Sequence, residues 1–201
     1  MRVNDFSVNI KNTHTPRMSV SPEEFGSAIV PSSGDNSCLF NCLVIHDSLP
    51  VILSPKEQVS PALALRLQLC DFMLREGKTL LLNERDTLES TILAEEKKSL
   101  DVYITQMRSP RTWGGVNEIQ CFAVMRKCNI RVYQFNPQTQ NLDTCIVATG
   151  RSSPEVDDIV LFLNGFQMKR ATHFDLLVRP PHNHPVTKLC LNDWKQMATS
   201  P

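Results

Sequence analysis

The sequence predicts a single α/β or α+β domain with a central sheet of about four to five strands flanked by helices. Three observations carry this. The chain has 201 residues, enough for one domain with a sizeable core and short for two. Its apolar and charged fractions, 41% and 21%, are those of ordinary globular proteins. Its helical patterns also precede its strand patterns, with the change falling at Asn129.

In chain order, residues 1–27 are mixed and polar, with Pro16 and Pro22, and hold neither period for long, which predicts an N-terminal arm or appendage. Ala28-Ile29-Val30 before Pro31 is a short extended lead-in, and Ser32 to Ser37 is a dense turn cluster. Cys38 to Ile45 then reads as a buried helix that starts at Cys38. Ser60-Pro61 predicts a second helix start, with Ser60 as N-cap and Gly77 as the stop. Asp86-Thr87-Leu88-Glu89 has the capping-box arrangement, with Asp86 in the capping role. A helix or helix pair carrying Ile92, Leu93, Leu100 and Ile104 follows and ends before Pro110. After the turn at Trp113-Gly114-Gly115, residues 116–128 read as a helix with Val116, Ile119, Ala123 and Met125 towards the core.

The strand half comprises residues 130–135, 145–147, 159–163 and 173–178, the last closed by Pro180-Pro181. The domain is therefore expected over 28–180, with a tail over 181–201.

Lys plus Arg equals Asp plus Glu, 21 each, so no global field favours nucleic acid. No apolar run approaches the roughly 20 residues that span a bilayer, and no secretory or lipidation signature is expected at the termini. Seven cysteines without paired spacing point to free thiols in a reducing compartment, the cytoplasm.

A reactive thiol needs help to ionise, and a helix N-terminus supplies it through unpaired N–H groups and a partial positive charge. Cys38 is placed there, after a loop whose successive N–H groups can hold an oxyanion. Asn36 accepts a left-handed backbone more cheaply than most residues, so such a loop can form. Of the five histidines, His46 lies eight residues further along the same helix, about 12 Å from the thiol. His14 is in the irregular arm, and His182 and His184 sit among prolines. His173 remains as the base. Asp175 follows at i+2, on the same face of a strand, where a carboxylate can orient the imidazole.

Taken together, Gly34-Asp35-Asn36-Ser37-Cys38-Leu39-Phe40, Trp113-Gly114-Gly115-Val116-Asn117-Glu118-Ile119, Ile130 to Tyr133 and His173-Phe174-Asp175 resemble, in order, the motifs of the ovarian-tumour (OTU) family of deubiquitinating cysteine proteases. The resemblance spans about residues 28–179. It departs at Asn36 and Ser37, where the family pattern has Gly and Asn.

The resemblance implies an OTU-type papain-like fold with a mostly antiparallel sheet. It also implies Cys38-His173-Asp175 catalysis at the ubiquitin C-terminus, with Asp35, Asn36, Ser37 and Cys38 supplying the oxyanion backbone. Trp113 and Gly114 shape the channel for the substrate tail, or Trp113 anchors the core behind His173. Asp35 structures the loop, or is an alternative third triad member. Glu118 reads as a structural acid at a helix start. The implied partners are ubiquitin, polyubiquitin chains and ubiquitin-like modifiers, with neither nucleic acid nor membrane, and a monomer is expected.

No cofactor is expected. Cys121, Cys128, His182, His184 and Cys190 fit no common zinc spacing, and the 32–37 turn lacks the phosphate-loop pattern. The competing readings are a non-catalytic or weakly active ubiquitin-binding OTU-fold module and a papain-like peptidase that processes a polyprotein. The length suits a viral or bacterial effector, acting in host cytoplasm, and also a small eukaryotic enzyme.

Overall fold

A computed structural model describes residues 19–20, 28–32, 36–83, 85–136, 138–150, 158–164 and 173–178. The expected C-terminal tail, and the arm apart from Ser19–Val20, lie outside the described residues, as do Gly34, Asp35, His182, His184 and Cys190. Helices α1 (Cys38–Ser48), α2 (Pro55–Glu76), α3 (Leu88–Glu96), α4 (Leu100–Met107) and α5 (Val116–Arg126) come first among the long elements. The strands are β1 (Ser19–Val20), β2 (Ala28–Val30), β3 (Asn129–Asn136), β4 (Asn141–Thr149), β5 (Ile159–Asn164) and β6 (His173–Val178). They form one sheet in the order β1-β4-β3-β5-β6-β2, in which β3 and β5 are parallel and every other pair is antiparallel.

Alternation sorts the strands between two apolar clusters. In β5, Ile159 and Leu161 join the main core with the helices. Val160 and Phe162 join Ile29, Tyr133, Leu142 and Leu177 in a second cluster. Helix α1 is buried from Cys38 to Ile45, because it packs on β5 and β6 and also against α2. An all-round apolar helix is explained by this central placement.

Several local expectations are corrected. Helix α2 begins at Pro55, not after Ser60, because Ser54-Pro55-Lys56-Glu57 is the stronger start. There Glu57 Oε2 accepts from the Ser54 N–H at 2.8 Å, and proline occupies the first helical position. Pro61 therefore lies inside the helix and forgoes a bond to the Glu57 carbonyl. The cap of α3 is Thr87 rather than Asp86, its hydroxyl accepting from the Ser90 N–H at 3.2 Å. Val116 is exposed, since the buried face of α5 starts at Asn117. Among the described residues, no helix is long and apolar enough to cross a membrane.

Candidate active site

The site forms where the start of α1 meets the start of β6. Ser37 is the N-cap of α1, yet its hydroxyl makes no cap bond, and no acidic side chain occupies the first turn. Among the described residues, no acidic side chain in the first turn competes for the positive end of the helix at Cys38. Cys38 is 2% exposed. One turn on, the Cys42 thiol donates to the carbonyl of Phe174 at 3.2 Å, which fixes α1 against the residue next to His173. Burial pushes the Cys42 thiol well above the ordinary range and keeps it a neutral donor.

His173 and Asp175 share a strand face, as the i, i+2 spacing requires. Nε2 of His173 lies 3.0 Å from Oδ1 of Asp175. Asp175 is 2% exposed, and the backbone N–H of Ser32 donates to the same oxygen at 3.0 Å. The Ser32 hydroxyl donates to the Phe174 carbonyl at 2.7 Å and lies 3.2 Å from His173 Nε2, where it accepts. Nε2 is thus shared between the carboxylate and this hydroxyl. The bonds to Asp175 and then Cys38 raise the imidazole from 6.5 to about 10, against the opposing effect of partial burial.

The Trp-Gly-Gly turn lies against the residues around Cys38. Trp113 is 37% exposed, and its indole N–H donates to the side-chain oxygen of Asn36. That position does not suit the core-anchor alternative. A Cβ on Gly114 would stand 2.9 Å from Leu39 Cδ2 and 3.0 Å from Phe40 Cε2, so the turn packs closely on the first turn of α1, and a larger residue there would displace those side chains. Glu118 is a buried structural acid, accepting from the Gly115 N–H at 2.7 Å and the Tyr103 hydroxyl at 2.8 Å. Its burial raises the carboxyl pKa despite both bonds.

The structure thus gathers Cys38, His173, Asp175, Asn36, Ser37, Trp113 and Gly114, while Asp35 lies outside the described residues. Sequence reasoning missed Ser32 and Arg66. The guanidinium of Arg66 reaches the Asn36 carbonyl and the Ser37 hydroxyl, each at 3.1 Å. Arg66 carried a readable signal, a cation within the inward stripe Ala62, Leu65, Leu69, Cys70 and Met73 of α2. Ser32 carried none beyond following Pro31.

The family model for OTU-like cysteine proteases matches residues 33–174, more than half of the chain. The chain belongs to this family. No curated protein matches it by sequence.

Among solved structures, it is similar to the Hazara virus OTU bound to ubiquitin, with TM-score 0.62 and 14% identity over 87% of this chain and 97% of that one. It is also similar to the viral OTU domain protease of Taggert virus, with TM-score 0.58 and 16% identity over 83% and 87%. For the OTU domain of OTUD1 the TM-score is 0.54, with 14% identity over 76% and 85%. At these identities the likeness is one of fold, and the fold is OTU.

Proposed function

We propose that the protein hydrolyses isopeptide bonds between the ubiquitin C-terminus and lysine amines. The observation that carries this reading is the imidazole of His173, 3.0 Å from Oδ1 of Asp175 and raised by that carboxylate and by the neighbouring Cys38 thiol at the start of α1. The Hazara virus OTU bound to ubiquitin supports the choice of substrate. Ubiquitin-like modifiers carrying the same kind of tail belong to the same substrate class.

In the proposed reaction, His173 takes the proton of the Cys38 thiol, the sulfur bonds to the carbonyl carbon of the terminal glycine, and the C=O electron pair moves to the oxygen. The backbone of residues 35–38 holds that oxyanion. Collapse breaks the C–N bond, and the departing amine takes the proton from His173. Water then attacks the thioester and gives a proton to His173, releasing the ubiquitin carboxylate and restoring Cys38. Asp175 holds the imidazole throughout, and Trp113 with Gly114 walls the channel for the tail. A reduced Cys38 is required, which suits the cytoplasm or the host cytoplasm. Because Cys38 is nearly buried, its walls must give way as the tail enters.

A ubiquitin probe with an electrophilic C-terminus tests this. A covalent adduct is expected with the wild type and none with Cys38→Ala, while His173→Ala lowers turnover by roughly 1,000-fold or more. Binding without an adduct points to a non-catalytic module, and no engagement at all overturns the choice of ubiquitin.

A further inference from the structure

Arg66 is 0% exposed in α2, and its guanidinium lies 4.1 Å from the ring centroid of Phe40, in the first turn of α1. Nη1 donates to the carbonyls of Met107 at 3.0 Å and Thr112 at 2.8 Å, on the segment that leads into Trp113. Nη2 donates to the Asn36 carbonyl and the Ser37 hydroxyl. One planar cation therefore ties the two residues before Cys38 to the segment that leads into the Trp-Gly-Gly turn. Trp113 makes a second tie, at the surface, through Asn36. Asn36 and Ser37 are the two positions that depart from the OTU pattern, and here each uses its side chain in one of these ties.

We propose that Arg66 is a positioning residue for the oxyanion, acting through the peptide unit that joins Asn36 to Ser37. That peptide is trans, so its C=O and N–H point in opposite directions. With the oxygen held by a buried guanidinium, the Ser37 N–H is aimed away from Arg66 and its plane cannot rotate freely. A cation on the carbonyl also polarises the unit and makes the N–H a stronger donor. Arg66 thus supplies rigidity and charge to an oxyanion donor without touching substrate.

The inference rests on the proposed function, and its test separates the two. Turnover of a ubiquitin C-terminal coumarin amide is measured per titrated Cys38, beside alkylation by iodoacetamide, which develops no oxyanion, and inhibition by ubiquitin aldehyde, which forms a tetrahedral adduct. In Arg66→Lys, one ammonium cannot bond both segments. Its kcat is expected to fall roughly 10–100-fold, less than or near the loss of one oxyanion donor. The aldehyde should weaken by the same factor, with KM and the alkylation rate unchanged.

Ser37→Ala should lower kcat by a smaller factor in the wild type and have little added effect beside Arg66→Lys. An unchanged kcat in Arg66→Lys overturns the proposal, as does a parallel loss of alkylation. Should Arg66→Lys fail to fold, Ser37→Ala decides alone: reduced kcat with normal KM and alkylation sustains the role, and wild-type kcat ends it. If the wild type does not cleave the coumarin amide, the proposed function falls. The relative affinity of wild type and variant for a peptide aldehyde ending in Gly-glycinal then decides Arg66 separately.

Discussion

Cys42 and Phe174 are 132 positions apart, yet the thiol of one donates to the carbonyl of the other inside the core. Each lies close to a member of the proposed catalytic pair, Cys42 one helical turn after Cys38 and Phe174 next to His173. Sliding α1 along β6 would break this bond before it separated sulfur from imidazole. Cys42→Ala is expected to cost about 1–2 kcal/mol, from a lost hydrogen bond and a small void. A denaturant midpoint that falls with an unchanged m-value checks this, and an unmoved midpoint refutes it.

The pH dependence follows from His173. Its folded value of about 10 lies above the ordinary 6.5, so the imidazolium that protonates the leaving amine in the proposed reaction persists until the pH rises through about 10. The associated stability is fully present below about 6.5 and is lost as pH rises to about 10. Asp175 is the largest cause, so Asp175→Asn should move the basic limb of the rate profile downward by at least about one unit. It should also flatten the decline of stability over that window. A basic limb that stays in place would show that Asp175 does not hold the proton.

Ser32 is a second acceptor for the same imidazole nitrogen. Ser32→Ala is therefore expected to lower turnover only about 2- to 10-fold, the worth of one neutral hydrogen bond. In an Asp175→Ala background the same change should cost more, because the hydroxyl is then the remaining named partner of Nε2. Strict additivity in this double-mutant cycle would remove Ser32 from the site.

Glu118 holds the start of α5, and with it the Trp-Gly-Gly turn. Glu118→Ala leaves the Gly115 N–H and the Tyr103 hydroxyl without their acceptor and should cost about 2–4 kcal/mol. Glu118→Gln should stay within about 1 kcal/mol, since the Tyr103 hydroxyl can reverse and accept from the amide. The raised carboxyl pKa means that ionisation weakens the fold as pH rises from 4.5 through the folded value. Gln should remove that slope in a pH series of midpoints.

Much of the site was legible because its signals are local. A turn cluster ahead of an apolar run put Cys38 at a helix start, and β6 runs over His173–Val178 as its pattern predicts. Where two adjacent Ser-Pro pairs competed for one helix start, the reading took the wrong one, and the Ser54–Glu57 box decided the boundary. The core side of α5 was misjudged at Val116 because one apolar residue at a helix end says little about direction.

From the chain alone came the helix start at Cys38, the shared strand face of His173 and Asp175 and the order of helices before strands, since each depends on spacing within one segment, while the proposed roles of nucleophile and base came from the ordered motifs. Tertiary packing alone decided that Ser32 shares the imidazole and that Arg66 ties the residues before Cys38 to the segment that leads into the Trp-Gly-Gly turn. Their bonds join segments far apart in the chain, and a polar residue's distant partner is set by how helices and strands stack, which periodicity does not encode.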